Sequence, residues 1–127
     1  MEHVIEVRAR YPECDPMGVV HHTVYPVWFE MGRTELLRSV GGSYRALEES
    51  GSLLAVTRLE VRYRSPARYD DLLSLRTSLV GGSRVKLEHE YELMRDGTTL
   101  VTGHTVIACI DRDGRPQPLP DSIAFES

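Results

Sequence analysis

The sequence predicts an α+β domain in which a five-stranded antiparallel sheet wraps around one long central helix. Two observations support this prediction: one strand-like segment precedes the helix and four follow it, and the helix at 23–40 is apolar on nearly every side. Such a helix needs cover from several directions, because apolar surface left in water is unfavourable. A curled sheet supplies part of the cover, and we expect a second copy of the chain to supply the rest.

The size and charge of the chain narrow its class. With 127 residues it has the length of one ordinary domain, and we treat residues 1–127 as a single domain. The net charge of -4 provides no overall positive field that would attract nucleic acid. The first ten residues contain no hydrophobic signal core and no apolar run is long enough to span a membrane, so we expect a cytoplasmic protein. The two cysteines stand in unrelated contexts and are expected to be reduced thiols.

Two different spacings of apolar residues predict the first strand and the helix. Residues 3–11 alternate between apolar and polar side chains, which is typical of a half-buried strand. Residues 23–40 instead repeat apolar side chains at helical spacing. Thr23 is a suitable N-cap, and the Gly41-Gly42 pair is expected to end the helix.

The second half of the chain reads as strand throughout. The segments 55–63, 72–80 and 84–94 alternate, whereas 98–110 is apolar on both faces and should lie inside the sheet. The Asp-Gly pair before the last segment favours a two-residue turn, which places His89 opposite His104.

The loop between the second and third of these segments fixes another register. A three-residue loop at 81–83 places Leu79 opposite Val85 and keeps the leucines on one face. Two histidines that face each other across strands are more commonly packed and hydrogen-bonded than bound to a metal. We therefore expect no metal at His89 and His104.

The stretch YPECDPMGVVHHTVY at 11–25 is more than a simple loop. Asp15 before a proline, followed by Gly18, is good turn chemistry. Turn chemistry does not explain why His21 and His22 stand directly before an apolar helix. From the residues alone, Asp15 is structural or catalytic, and both interpretations remain open.

A wider pattern includes this loop, the helix after it and a later segment. Its members are Tyr11, Asp15, Gly18, Val20, His22, Tyr25, Trp28, Glu30 and Arg33, followed by SPARYDD at 65–71. With this pattern the chain resembles the hotdog-fold acyl-CoA thioesterases of the 4-hydroxybenzoyl-CoA thioesterase and YbgC-like type. The resemblance implies a hotdog fold and paired subunits that form a ten-stranded sheet. Because the central helix is too apolar for one curled sheet to cover, we expect a dimer or a tetramer built from two dimers. The resemblance also implies hydrolysis of an acyl thioester of coenzyme A or a related carrier, with coenzyme A present only as part of the substrate and no cofactor.

Thioester hydrolysis defines which groups the site must contain. It needs an activated water or a carboxylate nucleophile, together with donors where charge develops on the carbonyl oxygen. The resemblance assigns the catalytic carboxylate to Asp15, as general base or nucleophile. The helix start offers unpaired N–H groups, so the backbone N–H of His22 is the expected oxyanion donor. The imidazole of His22 matches a histidine of YbgC-like members and is the second catalytic candidate.

Further residues are assigned to the substrate, each with a structural alternative. The substrate-binding candidates are Gly18, Tyr25, Glu30, Thr57 and Arg58. A tyrosine at position 25 is more commonly a core residue than a pocket residue, and Glu30 is equally suited to an ion pair with Arg33. For the phosphates of coenzyme A the candidates are Arg58, Arg62, Arg64 and Arg68, with Arg84 and Lys86 as rivals. Their alternative is a solvated sheet face in which arginines pair with glutamates.

The loop also contains metal-ligand residue types, but their spacing argues against a metal. Cys14, Asp15, His21 and His22 are crowded together and lack the separated pairs that zinc sites show. Two other functions remain open, namely a hotdog hydratase or dehydratase acting on acyl thioesters, and a non-catalytic acyl-thioester-binding protein. The sequence does not name the acyl group, its chain length or the carrier.

Overall fold

The structure has the predicted architecture. In the computed structural model, which describes residues 1–123, five antiparallel strands form one sheet that packs against a long helix. In chain order the elements are β1 (Glu2–Arg8), a 3-10 turn (Tyr11–Glu13), α1 (Val24–Ser39), α2 (Tyr44–Glu49), β2 (Leu53–Tyr63), β3 (Leu72–Gly82), β4 (Lys86–Arg95) and β5 (Thr98–Ile110). The strands lie in the order β1-β3-β4-β5-β2, so β1 and β2 are the free edges.

The central helix begins and ends close to the predicted residues. Thr23 occupies the N-cap position, but its hydroxyl contacts the imidazole of His21 instead of capping a helix N–H. Gly41 has a φ of +88° and ends the helix, as predicted. One side of α1 is buried against the sheet, whereas Val27 and Met31 on the other side are exposed. Among residues 1–123, no helix is long and apolar enough to cross a membrane.

The core lies between α1 and the inner face of the sheet. The ring of Phe29 stacks on Tyr91 with ring centroids 4.3 Å apart. Gly103 allows this contact, because a Cβ at that position would collide with the Phe29 ring. The short helix α2, which we did not predict, begins at Ser43, whose hydroxyl accepts a hydrogen bond from the N–H of Ala46.

The first strand is shorter than predicted. It ends at Arg8 instead of residue 11, and Tyr11 is exposed in the following 3-10 turn. The N–H of Arg10 donates to the carboxylate of Glu13, which starts that turn, and Pro12 favours it. The chain therefore leaves the sheet before it reaches Asp15.

The predicted pairing of His89 with His104 is wrong. His89 lies opposite Thr105, and His104 lies opposite Glu90. His89 is buried on the inner face, whereas His104 lines the outer face of the sheet. The two imidazoles are therefore on opposite sides of the sheet.

A β-bulge explains this shift. The turn starts as predicted, with Arg95 opposite Thr98, but Leu93 then pairs with Val101 and leaves Leu100 as the extra residue. Leu100 and Val101 are both fully buried. Because neighbouring residues of β5 are both apolar, the hydrophobic pattern gave no sign of the insertion.

The predicted loop at 81–83 is also wrong. Gly81 and Gly82 continue β3, and Leu79 pairs with His89 instead of Val85. The difference is four residues, an even number, so the buried and exposed faces are preserved. Val85 instead accepts a hydrogen bond at its carbonyl from the N–H of Cys109 in β5.

Candidate active site

A tight hairpin holds Asp15. The N–H of Asp15 donates to the carbonyl of Val19, and the N–H of Gly18 donates to the carbonyl of Asp15, both at 2.9 Å. Asp, Pro and Gly stand at the first, second and fourth positions, as a type I turn prefers. Gly18 has a φ of +79°, the left-handed conformation that closes a three-residue hairpin loop. The sequence therefore fixes the backbone of Asp15 locally.

Only one oxygen of the Asp15 carboxylate serves the turn. Oδ1 accepts a hydrogen bond of 2.8 Å from the N–H of Met17. Within residues 1–123 we find no other hydrogen bond and no ion pair to this carboxylate. The side chain is partly exposed. Oδ2 is therefore open to water or to a substrate.

The helix start provides an unpaired amide. His21 donates its N–H to the carbonyl of Glu13 at 2.9 Å and accepts at its own carbonyl from the N–H of Val24 at 3.0 Å. The N–H of the next residue, His22, donates to no protein atom among the described residues. It precedes α1 by two residues and lies at the positive end of the helix dipole. Such an amide is suited to an anion or a polarised carbonyl oxygen.

The imidazoles of His21 and His22 are exposed and contact each other, with ring centroids 4.2 Å apart. Nδ1 of His21 lies 2.7 Å from the hydroxyl of Thr23. In the described part of the chain, no hydrogen bond joins either ring to Asp15. A catalytic role for the His22 ring therefore stays a prediction.

Tyr63 is a site residue that the sequence reasoning missed. It is the last residue of β2, and its hydroxyl donates a hydrogen bond of 3.0 Å to the carbonyl of His22. Its ring contacts Tyr25 edge to face, with centroids 5.6 Å apart. The alternating pattern at 55–63 predicts a strand, but only the fold shows that this strand ends beside the start of α1.

The segment 65–71 forms hydrogen bonds with the hairpin and with α1. Ala67 accepts a hydrogen bond at its carbonyl from the N–H of Val20 at 2.8 Å and donates its own N–H to the hydroxyl of Tyr25 at 3.2 Å. Tyr25 is buried, and burial raises the pKa of its phenol. Tyr25 therefore occupies the core position that was the alternative to a substrate contact.

Glu13 is a second residue that the sequence reasoning missed. Its carboxylate accepts hydrogen bonds from the N–H of Arg10 and from the indole N–H of Trp28. It thereby joins the 3-10 turn to the buried face of α1. Trp28 is a core residue, in agreement with the structural interpretation.

Three substrate-binding candidates lie apart from the hairpin. Glu30 is exposed on α1, 3.7 Å from the guanidinium of Arg33, which matches the ion-pair alternative. Thr57 lies at a bulge in β2, where its hydroxyl donates to the carbonyl of Val106. Arg58 follows it and lies 3.7 Å from Glu60. Within residues 1–123, no hydrogen bond or ion pair joins these residues to Asp15.

The arginine-rich face of the sheet forms a groove of about 550 Å³. Its arginines are Arg58, Arg62, Arg64 and Arg76. Glu60 lies within 4.0 Å of both Arg58 and Arg62, and Glu92 pairs with Arg76, so much of the charge is balanced. Arg68 lies outside this groove, where its backbone forms an isolated antiparallel β-bridge with Val19 beside the hairpin.

Neither cysteine in this chain is paired, and Cys14 precedes Asp15 directly. In the described residues, no three histidine, cysteine or acidic side chains are arranged to hold a metal ion.

Comparisons with known proteins identify relatives of the chain. The sequence model of the thioesterase-like superfamily matches residues 9–125. The chain is similar to the acyl-CoA thioester hydrolase YbgC of Escherichia coli O6:H1, with 32% identity over 122 residues, which are 94% of this chain and 91% of that protein. It is also similar to the acyl-CoA thioesterase YbgC of Haemophilus influenzae, with 33% identity over 114 residues, covering 89% and 83% of the two chains.

A solved structure supports the same relationship. The DHNA-CoA thioesterase from Staphylococcus aureus superposes with a TM-score of 0.90 and 33% sequence identity. The superposition covers 93% of this chain and 80% of that chain. The hotdog fold implied by the sequence resemblance is confirmed.

Proposed function

The chain belongs to the thioesterase-like superfamily, and from this premise we propose that it hydrolyses acyl-CoA thioesters at the Asp15 hairpin. One observation supports the assignment most directly. A carboxylate with a free oxygen and an unpaired amide at a helix N-terminus are held by the same short segment. Thioester hydrolysis needs a group of each kind.

The proposed reaction begins with the thioester carbonyl oxygen at the N–H of His22. Asp15 takes a proton from water, and the resulting hydroxide attacks the carbonyl carbon. Alternatively, the carboxylate attacks directly and water then hydrolyses the mixed anhydride. In both routes the carbon–sulfur bond breaks, the thiolate leaves and takes up a proton, and the free acid remains.

The surroundings of the His22 amide favour this role. The carbonyl of the same peptide unit, that of His21, accepts a hydrogen bond from the N–H of Val24, which polarises the peptide. The hydroxyl of Tyr63 donates a hydrogen bond to the next carbonyl, that of His22. The donor is therefore fixed before charge develops on the substrate, which is the condition for effective oxyanion stabilisation.

We also propose that two copies pair along β2 and complete the acyl pocket between them. Asp15 does not line any of the three cavities that we describe in residues 1–123. The edge strand β2 exposes Val56, Leu59 and Tyr63, which a second copy would cover. A tetramer would then consist of two such dimers.

No cofactor is part of the proposal, because coenzyme A or an acyl carrier arrives with the substrate. The arginines of the outer groove and Arg68 are the candidates for its phosphates. A cytoplasmic location, in which Cys14 and Cys109 stay reduced, also belongs to the proposal.

Release of free thiol from a panel of acyl-CoAs tests the function. Short-chain, long-chain and aromatic acyl groups should be included, because pocket size selects among them. Thiol release with turnover is the expected result. Loss of the double bond of an enoyl-CoA, or formation of one from a 3-hydroxyacyl-CoA with loss of water, would indicate a hydratase or dehydratase if no thiol is released. Binding without turnover would indicate a non-catalytic acyl-thioester-binding protein. Either result would overturn the proposal.

A further inference from the structure

A small cavity lies toward the C-terminal end of α1, away from the Asp15 hairpin. It has a volume of about 70 Å³ and lies between α1, α2 and the inner face of the sheet. Its lining includes the polar side chains Arg33, Tyr44, His89 and Ser122 and an aliphatic wall that contains Leu36, Leu79 and Leu87. This combination of one cation, neutral polar groups and leucines is unlike the rest of the core.

Arg33 provides a buried positive charge with unused donors. The residue is only 9% exposed, although a guanidinium carries five N–H groups. Among residues 1–123 its one hydrogen bond is to the hydroxyl of Tyr91, at 3.5 Å. Glu30 lies 3.7 Å away, beyond hydrogen-bond distance, and its side chain is 72% exposed. Among the described residues, the buried guanidinium therefore has one exposed ion-pair partner and one long hydrogen bond.

His89 provides a second unsatisfied group. It is 3% exposed, and its Nδ1 is buried without a hydrogen-bond partner among the described residues. Burial, the Arg33 charge and His104 lower the pKa of His89 to about 4, so the ring is neutral at pH 7. A buried polar atom without a partner is costly, so this ring adds to the uncompensated polarity around the cavity.

Tyr44 is a third polar residue of the lining. Burial raises the pKa of its phenol to about 12, against the opposing effect of Arg33. The hydroxyl therefore stays protonated and is available as a donor. Arg33 is then the one fixed charge among the three polar groups, and that charge is positive.

We propose that this cavity binds a small carboxylic acid, with the carboxylate on Arg33 and a short apolar tail against Leu36, Leu79 and Leu87. The planar guanidinium matches a carboxylate, and His89 and Tyr44 lie beside it as additional hydrogen-bonding groups. The volume of about 70 Å³ limits the ligand to a short-chain acid. This site goes beyond the proposed reaction, although its ligand is of the same chemical class as the acid product.

A thermal titration with sodium butyrate at pH 7 tests the site. Sodium chloride controls for ionic strength, and butyramide controls for the apolar tail without the charge. We expect a saturable rise in melting temperature with butyrate that neither control reproduces. Arg33→Gln should weaken butyrate binding roughly 10-fold or more, as loss of a charged hydrogen-bond partner typically does. Arg38→Gln is the matched control, because Arg38 is an exposed arginine of the same helix and pairs with Glu35; it should bind like the unsubstituted protein.

Nuclear Overhauser effects provide a test that does not depend on whether Arg33→Gln folds. In the unsubstituted protein, the methyl protons of butyrate should show contacts with methyl groups of Leu79 and Leu87. The absence of saturable stabilisation, equal binding by Arg33→Gln, or contacts confined to surface residues would overturn the proposal. Asp15→Asn should bind butyrate normally, so failure of this site and failure of the proposed catalytic site are distinguishable.

Discussion

Acidification from pH 7 to pH 4 should destabilise this protein through His89. An ordinary histidine has a pKa of 6.5, whereas burial, Arg33 and His104 lower the pKa of His89 to about 4. As the pH falls, the imidazole of residue 89 is therefore protonated near pH 6.5 in the unfolded chain but only near pH 4 in the folded chain. The contribution of His89 to the free energy of unfolding is therefore fully present above pH 6.5 and is lost as the pH falls toward 4. At about 1.4 kcal/mol per pKa unit, the loss at pH 4 is about 3 kcal/mol.

Urea unfolding at several pH values between 7 and 4 measures this loss. His89→Gln should lose about 3 kcal/mol less than the unsubstituted protein over this range, because it has no imidazole to protonate. His21→Gln, which changes an exposed imidazole, should follow the unsubstituted protein. Buffers without carboxylate groups keep the proposed acid site beside Arg33 free of buffer ions. If the curves of His89→Gln and the unsubstituted protein ran parallel, the reasoning about this buried group would be refuted.

Three further predictions concern the site and its assembly. Tyr63→Phe should lower kcat for thiol release roughly 10-fold while KM and melting temperature stay close to normal, since it removes only the hydrogen bond to His22; the exposed Tyr69→Phe is the control, and equal kcat values would contradict the role. His22→Ala should reduce kcat less than His22→Pro, because alanine keeps the backbone N–H and proline deletes it; circular dichroism checks folding, and equal losses in folded variants would remove the amide from the mechanism. Light scattering should give at least twice the monomer mass of 14.4 kDa, and a stable monomer at micromolar concentration would contradict the shared pocket.

Local chemistry made much of the fold predictable. The spacing of apolar residues identified α1, and Gly41 marked its end. The register between β4 and β5 was not predictable, because the bulge at Leu100 places two neighbouring apolar residues in the core. Alternation detects which face a residue occupies but does not detect an inserted residue when both candidates are apolar.

The candidate site also combines local contacts, which the sequence predicts, with long-range contacts, which it does not. Asp15, Gly18 and His22 lie within one short segment, so their arrangement follows from local turn chemistry and from the family resemblance. Tyr63 is 41 residues from His22, and the contact between Arg33 and Tyr91 spans 58 residues. Contacts of that kind depend on how the sheet packs against the helix, and no local pattern reports them.

The most direct test of the account is the rate of thiol release by Asp15→Asn. Asparagine keeps the size of the side chain and an acceptor for the N–H of Met17, so the hairpin should be retained. It removes both the base and the nucleophile, so turnover should fall roughly 100-fold or more while unfolding free energy and acyl-CoA binding stay close to normal. Glu30→Gln, which neutralises the exposed carboxylate of α1, should retain far more activity. Normal turnover by Asp15→Asn together with loss of activity in Glu30→Gln would place the catalytic carboxylate on the helix and contradict the account.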